Sequence, residues 1–94
     1  MNHPKTVHVL IEGKVQGVWY RGWTVEAATE RGLNGWVRNL HDGRVEAVFS
    51  GPTVTVDAMI TDCRQGPPSA LVHNVTAEPW TEIPGHGFHQ RATA

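Results

Sequence analysis

The Asp42-Gly43 pair fixes the middle of this chain. Val37 and Asn39 alternate on one side of it and Val45, Ala47 and Phe49 on the other, and the Asp-Gly dipeptide supplies the left-handed backbone of a tight antiparallel turn. The fold must therefore be built around a hairpin. Upstream, Val7, Val9 and Ile11 alternate with His8, Leu10 and Glu12, the period of a strand with one face better buried than the other. Between that strand and the hairpin, Gly22 to Arg31 predicts a helix, with Trp23 and Ala27, then Thr24 and Ala28, one turn apart and Gly32 as its stop. Downstream, Val56, Met59, Ile60 and Cys63 form a helical stripe that ends before Gly66-Pro67-Pro68. Its cap is expected at Thr53 or Thr55, although the β-branched run from Thr53 to Val56 favours a strand by propensity alone. Leu71 to Ala77 is rich in strand formers, Pro79 ends or edges it, and Phe88 to Arg91 makes a short final strand.

The order strand, helix, strand, strand, helix, strand is the split βαβ pattern. It predicts an α+β fold, a ferredoxin-like α/β sandwich (βαββαβ) whose antiparallel sheet carries two helices on one face. Ninety-four residues suffice for one domain, 1–94, and exclude separate cofactor and substrate lobes. Eight Lys+Arg against nine Asp+Glu give a charge of -1, so no nucleic-acid partner is expected. Cys63 is the single cysteine, which rules out an intrachain disulfide and a cysteine-based zinc site and fits a cytoplasmic protein. The apolar run near the start is too short for a secretion signal or a bilayer span, so no membrane association is expected. A monomer is expected.

The fold hosts binding modules and enzymes alike, so function must be read from a site. In Gly13-Lys14-Val15-Gln16-Gly17-Val18, followed by Trp19-Tyr20-Arg21, two glycines precede a helix start that carries an arginine. Such a loop can turn backbone N–H groups and the positive end of the helix dipole toward an anion, and Arg21 adds a planar donor fork suited to a phosphoryl group. Spacing alone leaves open a plain tight connection closed by a surface arginine. Asn39 is unusual in a strand, and pattern alone favours a turn-stabilising bond over orientation of a water or ligand.

Conventional catalysts are missing. Neither Ser50 nor Ser69 lies in a nucleophile elbow. Cys63 lies on the apolar stripe as a structural thiol. His86 and His89, the only close histidine pair, fall in a Gly-rich segment and read as solvated, as does His41. Asn74-Val75-Thr76 is a chance match to a glycosylation acceptor. Trp23 and Trp36 are assigned to the core, whereas Trp19 can rim a site.

The two segments GKVQGVWYR (Gly13 to Arg21) and GLNGWVRNLHDGRVE (Gly32 to Glu46), with Gly51-Pro52 and Gly66-Pro67, closely resemble the acylphosphatase family over Val7 to Trp80, and more weakly to the end. The resemblance implies the ferredoxin-like sandwich and hydrolysis of the carboxyl-phosphate bond of acyl phosphates without metal or cofactor. It implies that Arg21 binds the phosphoryl group together with the amides of Gly13, Lys14, Val15, Gln16, Gly17 and Val18, and that Asn39 orients the attacking water. Tyr20 stands where the family usually has Phe, and its hydroxyl needs a partner if the ring is buried. A shallow anion cradle implies little selectivity for the acyl group. The competing readings are a non-catalytic anion-binding or regulatory module and the corresponding domain of larger carbamoyl-phosphate-handling maturation enzymes.

Overall fold

A computed structural model describes residues 4–94; Met1 to His3, included in the expected domain 1–94, lie outside the described residues. The elements run β1 (Pro4–Lys14), α1 (Tyr20–Glu30), β2 (Asn34–Asn39), β3 (Val45–Pro52), α2 (Thr53–Cys63), β4 (Leu71–Pro79) and β5 (Phe88–Gln90). They build one sheet in the order β4-β1-β3-β2-β5. Three of its four pairings are antiparallel, but β5 runs parallel to β2, so the sheet is mixed where a purely antiparallel one was expected. The cause is the path after Pro79, which leaves one edge of the sheet at β4 and enters the opposite edge at β5 in the direction of β2.

The helices pack on one face, α1 over β2 and β5 and α2 over β1 and β3, and they touch each other. Alternation decides what they cover. Val7, Val9 and Ile11 of β1, Val37 of β2, and Val45, Ala47 and Phe49 of β3 meet Ala28, Val56, Met59 and Cys63 from the helices. Burial thus turns Thr53 to Val56 into helix despite its strand propensity, because Val56, Met59 and Cys63 reach the core together only at helical spacing. The cap falls on Pro52, one residue before the expected Thr53. The end of α1 is marked as anticipated: Gly32 adopts φ 69°, its N–H reaches the Thr29 carbonyl, and the Leu33 N–H reaches that of Ala28. This six-to-one closure delivers buried Leu33 to the core.

Trp36 departs from its expected core position. It lies on the helix-free face, buried between the guanidinium groups of Arg38 and Arg91, 4.8 and 4.4 Å from its ring centroid. Val37, its neighbour, takes the core side, since successive strand residues point to opposite faces. Beside Trp36, Glu46 accepts hydrogen bonds from Arg38 Nε at 2.6 Å and from His8 Nε2 at 2.7 Å. Burial pushes the Glu46 carboxyl up, but these two bonds outweigh it and hold the group below the usual carboxylate range. Trp80 stacks on His8 at 4.6 Å, so the segment after β4 starts its crossing over this face.

Candidate active site

β1 runs further than its alternating core suggests and takes in Gly13 and Lys14, which pair with Val72 and Leu71 of β4. The connection to α1 therefore shrinks to Val15 through Trp19. Val15 is buried and anchors it, whereas Gly17 and Trp19 both take left-handed backbone, at φ 74° and 66°. Trp19 is the N-cap of α1, and an indole has no acceptor with which to cap a helix. No side chain bonds the first-turn amides, no acidic residue lies in that turn, and the amides of Gln16, Gly17 and Val18 meet no backbone carbonyl among the described residues. The positive end of α1 is left open to an incoming anion.

A cavity of about 270 Å³ opens at this end. Val15, Gln16 and Gly17 line it from the loop, Trp19 to Gly22 from the start of the helix, Asn39 from the end of β2 and Gln90 from β5. Arg21 and Asn39, far apart in sequence, are thereby brought together as expected. Gly13, Lys14 and Val18 do not line the cavity: the first two belong to the β1–β4 ladder, and Val18 packs on the core.

Each polar group has a distinct circumstance. Lys5, Arg31, Arg38 and Arg44 are ion-paired with Asp57, Asp62, Glu46 and Asp42, but Arg21 has no hydrogen bond or ion pair among the described residues. Asn39 is 9% exposed, and its Oδ1 is buried without a hydrogen-bond donor among those residues, a circumstance that ordinarily costs stability. The side chain makes no turn-closing bond; Asp42 does that work through its acceptor bond from the Arg44 N–H. Gln16, which lines the cavity, commits its side-chain amide to the hairpin. Its Nε2 donates to the carbonyls of Leu40 and Arg44 at 2.8 and 2.9 Å, clamping the loop to the hairpin that carries Asn39.

Tyr20 resolves its own question by donating its buried hydroxyl to the Cys63 carbonyl at 2.6 Å, so it ties the helix start to α2. Burial, reinforced by Cys63, raises that hydroxyl far above the usual tyrosine range. Burial likewise pushes the Cys63 thiol up to about 12, which keeps it protonated and inert near neutrality. His41, His86 and His89 are exposed, and no group of three metal-ligating side chains occurs among the described residues. Gln90 had no sequence signal, because a parallel pairing of β5 with β2 cannot be read from a three-residue strand.

Sandwich and cavity together define a small α+β protein with a pocket at its first strand–helix junction. The family model described as Acylphosphatase matches residues 7–90. An acylphosphatase of Rhodospirillum rubrum is 56% identical over 87 residues, covering 93% of this chain and 96% of that protein. Among solved structures, an acylphosphatase from Coxiella burnetii superposes with a TM-score of 0.90 at 37% identity, covering 96% of this chain and 94% of that one. One from Bacillus subtilis gives 0.87 at 29% identity, covering 95% and 99%. The chain belongs to the acylphosphatase family, enzymes that hydrolyse the carboxyl-phosphate bond of small acyl phosphates.

Proposed function

We propose that Arg21, with the amides of Gln16 and Gly17 and of the first turn of α1, binds the phosphoryl group of an acyl phosphate, and that Asn39 orients the attacking water. The observation that carries this reading is the pairing, in one cavity, of a guanidinium and a buried carbonyl oxygen that have no hydrogen-bond partner among the described residues. The cation matches the phosphoryl oxygens, and the carbonyl matches a water O–H. The water oxygen attacks phosphorus, the bond from phosphorus to the acyl oxygen breaks, and its electron pair leaves on the carboxylate. The water's proton passes to a phosphoryl oxygen, giving inorganic phosphate.

A carboxylate is a good leaving group, so the protein needs no strong acid, and a loose phosphoryl transition state asks mainly for positioning and charge stabilisation. Neither step requires a metal. The slight negative charge supports the absence of a nucleic-acid partner and the single cysteine supports a cytoplasmic location; the reading includes a monomer without membrane partners, and no helix among the described residues is long and apolar enough to cross a membrane. The test is phosphate release from acetyl phosphate by the purified chain with and without excess EDTA. Equal turnover supports the reading; loss on chelation, restored by one divalent metal, overturns it.

A further inference from the structure

The exposed part of the cavity lining is chemically lopsided. Gly17, Trp19 and Gln90 are its exposed members; the first has no side chain, the last is polar, and Trp19 alone offers an apolar surface. Trp19 is 58% exposed and stands outside the hydrophobic core. Two features nevertheless fix it in place. Trp19 is the only non-glycine residue with positive φ among the described residues, a backbone state that L-residues disfavour. Its indole also packs against Gly22, where a Cβ would come within 2.1 Å of Nε1 and 2.6 Å of Cε2. A residue that gains nothing from the core is thus held in a disfavoured conformation, at a helix start whose amides it cannot cap, two positions from Arg21.

With the phosphoryl group against Arg21 and the amides, the acyl group must point toward the exposed rim. We infer that Trp19 is a platform for the acyl group, selecting planar aromatic acyl phosphates over short aliphatic ones by stacking. The inference rests on the phosphoryl-site reading above, and it replaces the expectation of an indifferent cradle.

The experiment compares kcat and KM for benzoyl phosphate and acetyl phosphate in the wild-type chain, Trp19→Ala and Trp19→Phe, with competitive inhibition by inorganic phosphate measured alongside. Trp19→Ala should lower kcat/KM for benzoyl phosphate relative to acetyl phosphate by about tenfold, mostly through KM, as expected for a lost aromatic stack. Trp19→Phe should keep most of the preference, and phosphate inhibition should stay the same in all three. If Trp19→Ala does not fold, Trp19→Gly, suited to the left-handed backbone, gives the same comparison. A wild-type chain that hydrolyses both substrates in a ratio unchanged by removal of the ring overturns the platform alone, as does an equal loss on both. Absence of hydrolysis of either substrate by the wild-type chain would overturn the phosphoryl-site reading and the inference with it.

Discussion

The two strand–helix junctions of this fold are built from the same parts and do opposite things. Between β1 and α1 five residues intervene, two of them left-handed, and the arginine at the helix start is unpaired among the described residues. Between β3 and α2 nothing intervenes: Pro52 ends the strand and Thr53 begins the helix. The nearby cation, Lys5, is ion-paired with Asp57 of α2 at 2.5 Å. The fold alone therefore does not decide what a junction does. The first differs by a short inserted loop whose amides meet no backbone carbonyl, and a guanidinium without an ion pair, among the described residues, and the proposed phosphoryl site rests on those two features.

The largest break in that comparison comes from Arg21. Arg21→Ala should lose on the order of 3 kcal/mol of transition-state stabilisation, a hundredfold or more in kcat/KM, together with affinity for inorganic phosphate. Arg21→Lys should be nearly as damaging, because a point charge cannot reproduce two parallel donor bonds. Near wild-type turnover in the lysine variant would remove the bidentate role. Asn39→Ala should cost less, about 2 kcal/mol in turnover, because it frees the water without removing charge. Phosphate titration by calorimetry should find that variant binding almost normally. Its urea midpoint should also stay close to wild type, since Asn39 Oδ1 has no donor to lose. If a folded Asn39→Ala lost phosphate binding as severely as Arg21→Ala, Asn39 would be an anion ligand instead.

How much of this contrast was legible depends on the range of the interactions. Period-2 and helical spacing located β1 and α2, because Val7, Val9 and Ile11, and Val56, Met59 and Cys63, reach the core only at those spacings, whereas β4 and β5 were read from strand-forming composition and flanking Pro and Gly. The resemblance carried by GKVQGVWYR and GLNGWVRNLHDGRVE led to the expectation of Arg21 and Asn39 in one site. Long-range pairing was hidden. β4 draws Gly13 and Lys14 out of the loop, and the parallel entry of β5 places Gln90 at the cavity, although neither event leaves a local signature. Trp36 is buried, as its assignment to the core requires, but apart from the cluster under the helices, because Arg38 and Arg91 cover its ring, which an aromatic in a strand does not announce.

Gln16 tests whether the loop must be tied down as well as present. Gln16→Ala removes both donors to the Leu40 and Arg44 carbonyls and frees the loop from the hairpin. About tenfold lower kcat is expected, since a shift of a fraction of an ångström misaligns cradle and water. Gln16→Glu should be no better, because a carboxylate has nothing to donate to two carbonyls. Wild-type kcat in both variants would show that the loop holds its shape unaided.

The smallest effect belongs to the second junction. Lys5→Ala deletes the cation paired with Asp57 of α2, from an ion pair whose side chains are 36% and 56% exposed. Exposed pairs of this kind contribute at most about 1 kcal/mol, so the urea midpoint should fall slightly, and less so in high salt. Turnover and competitive inhibition by phosphate should not change at all. A lysine free to meet an anion would behave otherwise: its removal would weaken phosphate inhibition, as Arg21→Ala does at the first junction. Should Lys5→Ala weaken phosphate inhibition more than its small stability loss explains, anion binding would not be confined to the first junction, and the inserted loop would lose its claim to be what separates the two.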